Sequence, residues 1–311
     1  MVKEFCKTVV LVVCIVLIFY LWLHMDDVSQ IKWKDMNSFI ANQKNDKKSD
    51  KKVTVTRQDG TVLKLSMDDY LYGVIGSEMP VSYELEALKA QCVAARTFVV
   101  QRNLQVDDTV QTQVYHDDEQ LKQIWKTEYA TNKEKVLKAI HETEDEIITY
   151  KGKPISALFY SSSCGKTANA EEYWTNALPY LKSVDSSWDQ NSKEYLQTIQ
   201  ISEKEFSNKL GFMNIVSSID HIHFYQSGYI KDLTIDGVIL TGREVREKLN
   251  LRSSCFSIKK ENGIYYITTK GYGHGVGMSQ VGAQHMALKK VDYKKIIHHY
   301  YTDVKIEKMN V

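Results

Sequence analysis

Residues 271–287, GYGHGVGMSQVGAQHMA, place five glycines, two histidines, two glutamines and a serine within seventeen positions. Glycine serves where the chain takes positive φ or where a second backbone or a ligand comes close, and each one weakens an ordinary helix or strand. The segment is therefore a built loop. Its end, 279–288, carries small and apolar residues with Gln280 and Gln284 and reads as the start of a helix packed on a core. A polar loop feeding a helix is a frequent setting for a site.

The rest of the chain supports a sizeable core: 311 residues, 43% hydrophobic and 25% charged, is the composition of one large or two modest globular domains. Forty Lys plus Arg balance thirty-nine Asp plus Glu, so no field is present that would gather nucleic acid.

Residues 8–23 form an uncharged run rich in Val, Leu, Ile and Phe, with Lys3 and Lys7 before it and Asp26 and Asp27 after it. Sixteen residues is a little short of the roughly 20 that cross a bilayer squarely, but Tyr20 and Trp22 suit the interface. No small-x-small cleavage site follows. The run reads as an uncleaved anchor with the lysines inside and the remainder outside. Residues 42–52, NQKNDKKSDKK, hold no apolar side chain and act as a tether. The expected organisation is 1–24 cytoplasmic tip and transmembrane helix, 25–52 lysine-rich tether and 53–311 extracytoplasmic domain. Of the five cysteines, Cys92, Cys164 and Cys255 fall in that domain without C-x-x-C spacing, and no disulfide is expected.

From Val53 an alternating run, Asp59-Gly60 and a second alternating run predict a hairpin. Leu85, Leu88, Cys92, Ala95 and Val99 recur at helical steps and predict a helix from about Val81. Glu78-Met79-Pro80 stands at its entrance. A further helix is expected over 133–142, strands over 146–150 and 155–160, then short strands at 230–235 and 265–269 and short helices at 203–210 and 242–249. Strands and helices do not alternate strictly, so the expected class is α+β, with mixed sheets and packed helices forming a groove.

Glu78 is the first candidate for chemistry. It is a carboxylate among apolar and small neighbours, and desolvation there raises a pKa and keeps the acid protonated for general-acid work. The plainer alternative is a carboxylate favoured by the dipole at a helix N-terminus. Ser163 to Lys166 matches S-x-x-K, yet no S-D-N or K-T-G partner accompanies it. His221-x-His223 and His298-His299 lack third and fourth ligands at any recognisable spacing, and no metal or other cofactor is expected. Trp125, Trp174 and Trp188 are expected mostly in the core, with one or two flooring a sugar groove.

Taken in order, YLYGVIGSEMP, LKAQCVAARTFVV, FYSSSCGKTANAEEYW with PYLKSVDSSWD, LTGREVREKLNLRSSCF and GYGHGVGMSQVGAQHMA resemble the stage II sporulation protein D family from residue 53 onward. The resemblance implies a membrane-anchored lytic transglycosylase of forespore engulfment. Such an enzyme cuts peptide-free glycan strands between N-acetylmuramic acid and N-acetylglucosamine and leaves a 1,6-anhydro end. It implies Glu78 as the catalytic acid and Arg96 as a residue orienting Glu78 or the substrate's lactyl carboxylate. Ser161, Ser162, His274 and Gln280 match groove positions by motif. It also implies work beside stage II sporulation proteins P and M. A related amidase-enhancer group leaves a second reading open, that of a non-catalytic glycan binder stimulating a partner hydrolase.

Overall fold

The computed structural model describes residues 52–109 and 112–309. The expected transmembrane helix and all of the tether except Lys52 lie outside the described residues. Among the described residues no helix is long and apolar enough to cross a membrane. The α+β class is what the chain adopts, with short mixed sheets interleaved with helices.

The hairpin forms as its pattern predicts: β1 (Val53–Thr56) runs antiparallel to β2 (Val62–Leu65), Val53 opposite Leu65. Next comes a helix that the sequence reading did not anticipate, α1 (Met67–Glu78). Ser66 caps it by accepting the Asp69 amide at 3.1 Å, and Asp68 and Asp69 suit its N-terminal dipole. It ends at Glu78 because Pro80 disfavours helical geometry at the preceding residue, and Met79 is extended at φ −130°, ψ 136°.

Two glycines interrupt the apolar face of α1, each costing a helix about 1 kcal/mol relative to alanine. Another stretch of chain needs the space. A Cβ at Gly73 would stand 2.2 Å from a Tyr115 ring carbon and 2.5 Å from the His116 carbonyl oxygen, and one at Gly76 would meet Leu121 and Trp125 at 2.8 Å. Residues 114–125 thus ride across α1 in direct contact.

Helix α2 (Leu85–Gln101) is buried from Ala87 to Val99 apart from Lys89, and its alanines let neighbours approach from several sides. Arg96 lies within that buried run, only 1% exposed. Its guanidinium donates to the Glu146 carbonyl at 3.0 Å and to the Ile140 carbonyl at 3.5 Å. The expected role of Arg96 in binding substrate is corrected here. It is a buried structural cation whose pKa is drawn down by burial, with Cys92, Asp68, Asp145 and Glu146 pulling the other way.

The chain continues through β3 (Gln105–Asp107), parallel to β1, then α3 (Asp118–Trp125), α4 (Tyr129–His141), β4 (Glu146–Tyr150), β5 (Lys153–Pro154) and β6 (Phe159–Tyr160). The Arg96 contacts join the end of α4 to the start of β4. The strand expected over 155–160 shrinks to β6, because a local turn from the Leu158 amide to the Ser156 carbonyl (2.9 Å) breaks the run. Beyond it lie α5 (Ala170–Tyr173), β7 (Leu196–Ser202), α6 (Glu203–Leu210), β8 (Ile219–Phe224), β9 (Ile230–Ile235), β10 (Val238–Thr241) and α7 (Gly242–Leu249). The chain closes with β11 (Phe256–Glu261), β12 (Ile264–Lys270), β13 (Met278–Ser279), α8 (Gln280–Leu288), α9 (Tyr293–Tyr300) and β14 (Lys305–Lys308). Helices α6 and α7 take the predicted bounds because Ser202 and the Thr241/Glu244 capping box start them.

Two cores hold these elements. One gathers Leu71, Ile75, Leu88, Ile148, Val276 and Ile297. The other, around Phe206, Leu233, Val245 and Ile267, lies beneath the β10-β9-β8 and β11-β12-β7 sheets. The parallel pair β13-β6, Met278 beside Phe159, ties the glycine-rich segment to the first core.

Gly73→Ala should test the crossing. Helix propensity alone would stabilise this variant by about 1 kcal/mol, but the methyl must displace Tyr115 and a backbone carbonyl, so a net loss of roughly 1–3 kcal/mol is expected in urea unfolding. A variant as stable as the parent would show that 114–116 does not press on α1.

Candidate active site

Glu78 is the last residue of α1, placed where the helix turns outward into Met79 and Pro80. This differs from both placements weighed on the sequence, which set it at the entrance of the following helix. At a C-terminus the dipole opposes a negative charge. The side chain is partly buried, and burial raises its pKa above the ordinary carboxylate value; the Val114 amide, donating to Oε1 at 2.7 Å, pulls the other way. No second carboxylate contributes to the shift. Glu78 is poised toward its protonated form by desolvation, while Glu128 and Glu194 also line the groove it faces.

Val114 reaches that oxygen because its segment crosses α1 at Gly73. The neighbouring contacts brace the same crossing: the His116 amide donates to Ser77 Oγ at 3.1 Å, and His116 Nδ1 lies 2.8 Å from the same hydroxyl. Nothing in the sequence pattern marks Val114, since its contribution is a backbone N–H.

The glycine-rich segment folds back onto the Glu78 turn. Gln280 Nε2 donates to the Glu78 carbonyl at 2.9 Å, and Gln284 Oε1 accepts the Glu84 amide at 2.6 Å. The two glutamines therefore bracket residues 78–84. Gly271, Gly273, Gly275 and Gly277 all have positive φ, and contact enforces the glycine as well as conformation: at Gly277 (φ +84°) a Cβ would fall 2.1 Å from the Leu158 carbonyl oxygen.

Between these parts runs an open groove of about 1090 Å³. Glu78, Met79, Pro80 and Tyr83 line it from the turn, Ile124 and Trp125 from α3, Tyr160, Ser161 and Ser162 from β6 and its loop, and Tyr272, Gly273 and His274 from the glycine-rich segment. Tyr272 is 46% exposed, leaving its ring available in the groove, while Arg252 stacks 5.2 Å from the ring centroid. Trp125 packs edge-on against Tyr72. Trp174 instead boxes His274, and Trp188 stacks on His285.

The candidate residues divide by what they touch. Gln280 is buried with its amide spent on the Glu78 backbone, so it positions the turn. His274 sits among Tyr160, Tyr173 and Trp174, with ring centroids 5.1–5.7 Å away. Burial, and then Arg246, push its pKa down to about 3. Its Nδ1 accepts the Val276 amide at 3.1 Å. It is a neutral imidazole holding the loop. The Ser161 carbonyl accepts the Val281 amide at 3.0 Å, and Ser162 exchanges both backbone bonds with Tyr272.

Asp189, inside the quoted PYLKSVDSSWD motif but not singled out, anchors this wall. It is fully buried, and Oδ2 accepts from the Ser163 amide at 2.7 Å and from Ser279 Oγ at 2.8 Å. Ser279 in turn caps α8. Ser163 Oγ faces the Ser186 carbonyl and accepts the Gly165 amide, which gives the S-x-x-K match a structural explanation. Among the described residues no cluster of three or more His, Cys, Asp or Glu is placed to hold a metal.

Fold and site together define an α+β protein whose open groove is lined by Glu78, an acid raised by desolvation, with Glu128 and Glu194 also on its walls. Residues 55–150 match the SpoIID family model, Stage II sporulation protein. The chain is 45% identical over 259 residues to stage II sporulation protein D of Bacillus amyloliquefaciens, covering 79% of this chain and 75% of that protein. It is 41% identical to stage II sporulation protein D of Bacillus subtilis (strain 168), covering 79% and 76%. The chain belongs to the stage II sporulation protein D family. It is also 30% identical over 288 residues to the amidase enhancer of Bacillus subtilis (strain 168), covering 74% of this chain and 39% of that protein.

The raised pKa of Glu78 has a sign that can be tested. The folded state holds this proton more tightly than the unfolded chain, so the group costs stability as pH rises from the ordinary carboxylate range through the folded value, and the cost persists above it. Glu78→Gln removes the cost. The variant should melt above the parent at pH 7, with the difference vanishing in acid below the ordinary carboxylate range. A variant melting lower at pH 7 would contradict the desolvated-acid assignment.

Proposed function

We propose that this chain is a lytic transglycosylase acting on peptide-free peptidoglycan glycan strands. The observation that carries the reading is Glu78, an acid raised by burial that lines an open groove of about 1090 Å³. Membership of the stage II sporulation protein D family supports the sporulation setting.

Glycosidases that use water work with two carboxylates, one for the leaving oxygen and one for the opposite face of the sugar. A transglycosylase needs only one, because its nucleophile is the C6 hydroxyl of the same muramic acid ring. In the proposed reaction protonated Glu78 gives its proton to the glycosidic oxygen as the bond to C1 breaks. The C6 oxygen then bonds to C1, and the Glu78 carboxylate takes the hydroxyl proton. One strand leaves with a free 4-hydroxyl and the other with a 1,6-anhydro end. The intramolecular attack carries the entropic advantage of a preorganised nucleophile, and Val114 N–H fixes the acid's orientation while leaving Oε2 for the proton.

The groove walls suit a sugar polymer: the Tyr272 and Trp125 rings offer apolar faces, and Ser161 and Ser162 border the same space. In the same reading Ser161, Ser162 and His274 form the wall against which the strand lies, and Gln280 holds the acid's turn. The biological setting proposed with it is septal peptidoglycan degradation during engulfment, from the mother-cell membrane. There stage II sporulation protein P would strip peptides and stage II sporulation protein M would share the membrane. The amidase-enhancer relative favours a second reading, in which the groove binds glycan and stimulates a partner amidase.

Digestion of peptide-free glycan strands by the full chain, read by mass spectrometry of strand ends, separates the two. Anhydro-muramic ends should form, and Glu78→Gln should lower their rate by roughly 10²–10⁴-fold, the usual contribution of a general acid–base group. If the parent yields no anhydro ends while both forms stimulate an amidase, the chain is an enhancer. For location, a C-terminal tag should be cut by protease added outside the membrane; a tag protected with the cytoplasm would reject the anchor orientation.

A further inference from the structure

With Arg96 buried in α2, a substrate carboxylate in the groove needs a different cation. Among the described residues that line the groove Lys193 is the one lysine, and no arginine is present. The Lys193 side chain is exposed, but its turn is fixed to the glycine-rich segment. The Tyr195 amide donates to the Ser192 carbonyl at 3.1 Å, and the Gly271 amide donates to the Tyr195 carbonyl at 2.8 Å. Residues 192–194 are thereby held close to Tyr272, with which they share the groove.

Arg252 brings a second cation to Tyr272. Its carbonyl accepts the Gly273 amide at 2.9 Å, and its guanidinium lies over the Tyr272 ring, 5.2 Å from the centroid. Stacking on an aromatic face orients the planar fork, so less freedom is lost when the fork binds an anion. Arg252 Nη1 also lies 3.8 Å from a carboxylate oxygen of Glu194, at the limit of an ion pair, with 29% of the arginine side chain and 78% of the glutamate side chain exposed. Because Glu194 lines the groove, this contact shows that a carboxylate on the groove side reaches the guanidinium. An exposed pair of this kind is weak and exchanges readily for a better partner.

We propose that Lys193 and Arg252, set around Tyr272, form a carboxylate subsite that takes the free lactyl carboxylate of an N-acetylmuramic acid residue in the strand. The proposal rests on the glycan reading of the groove and adds to it the groups that tell a stripped strand from an intact one. In an intact strand that carboxyl is an amide to the first residue of the peptide, uncharged and followed by bulk. In a stripped strand it is an anion, and a guanidinium and an ammonium pair with it through charge-assisted hydrogen bonds. The Tyr272 ring, still half-exposed beneath the guanidinium, offers its uncovered face to the sugar that carries the lactyl group. Glu194 is then an internal competitor, displaced from Arg252 by the substrate carboxylate.

The test measures affinity, by fluorescence anisotropy of end-labelled peptide-free glycan strands with the full Glu78→Gln chain, so that no strand is cut. The same strands with their lactyl carboxylates methyl-esterified are the uncharged probe. Free-carboxylate strands should bind about tenfold more tightly, the effect of one hydrogen bond to a charged group, and the margin should shrink as salt rises. Lys193→Ala and Arg252→Gln, each added to that chain, should narrow the margin severalfold and leave the affinity for esterified strands unchanged, which a damaged groove would not. Glu194→Gln removes the competitor and should widen it. Equal affinity for the two probes, or a margin that neither cation variant alters, would overturn the subsite and leave the glycan reading in place. Binding of neither probe would overturn the glycan reading and the subsite with it.

Discussion

The groove depends on one steric event, the passage of residues 114–125 over α1. Only glycine at 73 and 76 lets that segment come as close as 2.2–2.8 Å to the positions a Cβ would occupy. Three consequences follow from the same crossing. The Val114 amide meets Glu78 Oε1, the Ser77 hydroxyl is engaged by His116, and Trp125 is delivered to the groove wall. Two helix-weakening residues are tolerated because the helix is stabilised by what crosses it, a case of tertiary packing overriding local propensity.

That also explains what the sequence conceals. Tyr70, Leu71, Val74 and Ile75 recur on one face of α1, but Gly73 and Gly76 break the pattern by which a helix is read, so Glu78 looks like the start of the next element instead of the end of this one. The error matters chemically, because the dipole favours ionisation of a carboxylate at an N-terminus and opposes it at a C-terminus. Arg96 was misplaced for a related reason: a motif gives a residue's neighbours in sequence, whereas the inward side of the alanine-rich α2 directs its guanidinium to the Ile140 and Glu146 carbonyls. By contrast the 53–65 hairpin, β4, β9, α6 and α7 were legible, because their alternation, caps and turns are local and no distant contact contradicts them.

The glycine-rich segment was legible as a built loop, but its purpose was not. Its positive-φ glycines and its close contacts are as the composition implies, yet the residues expected to touch sugar are mostly committed to the protein itself. Gln280 and Gln284 grip the turn of residues 78–84, His274 is a neutral plug among three aromatic rings, and Ser162 is zipped to Tyr272. Tyr272 is the side chain this segment leaves open to the groove, 46% exposed. A loop whose polar groups are satisfied internally is rigid, and rigidity is what an acid needs from its support.

This division of labour bears on how, in the proposed reaction, one carboxylate would suffice. A proton donor on a mobile turn would lose the orientation that intramolecular attack requires, and misplacement of about 1 Å can cost 100-fold in rate. Here the Glu78 carbonyl is held by α8, its carboxylate by the segment crossing α1, and its chain direction by Pro80. Asp189, buried and shared between the Ser163 amide and the Ser279 hydroxyl, fixes the start of α8 that supplies Gln280. This buried carboxylate acts on the scaffold behind the groove wall. Its own burial raises its pKa, and its hydrogen bonds to Ser163, Ser279 and Ser186 oppose that rise and favour the charged form that anchors the wall. The two acids therefore differ in what surrounds them: Glu78 receives one amide bond at the groove, while Asp189 Oδ2 accepts from an amide and a hydroxyl inside the protein. In the proposed reaction that difference leaves proton transfer to Glu78 and gives Asp189 an architectural part.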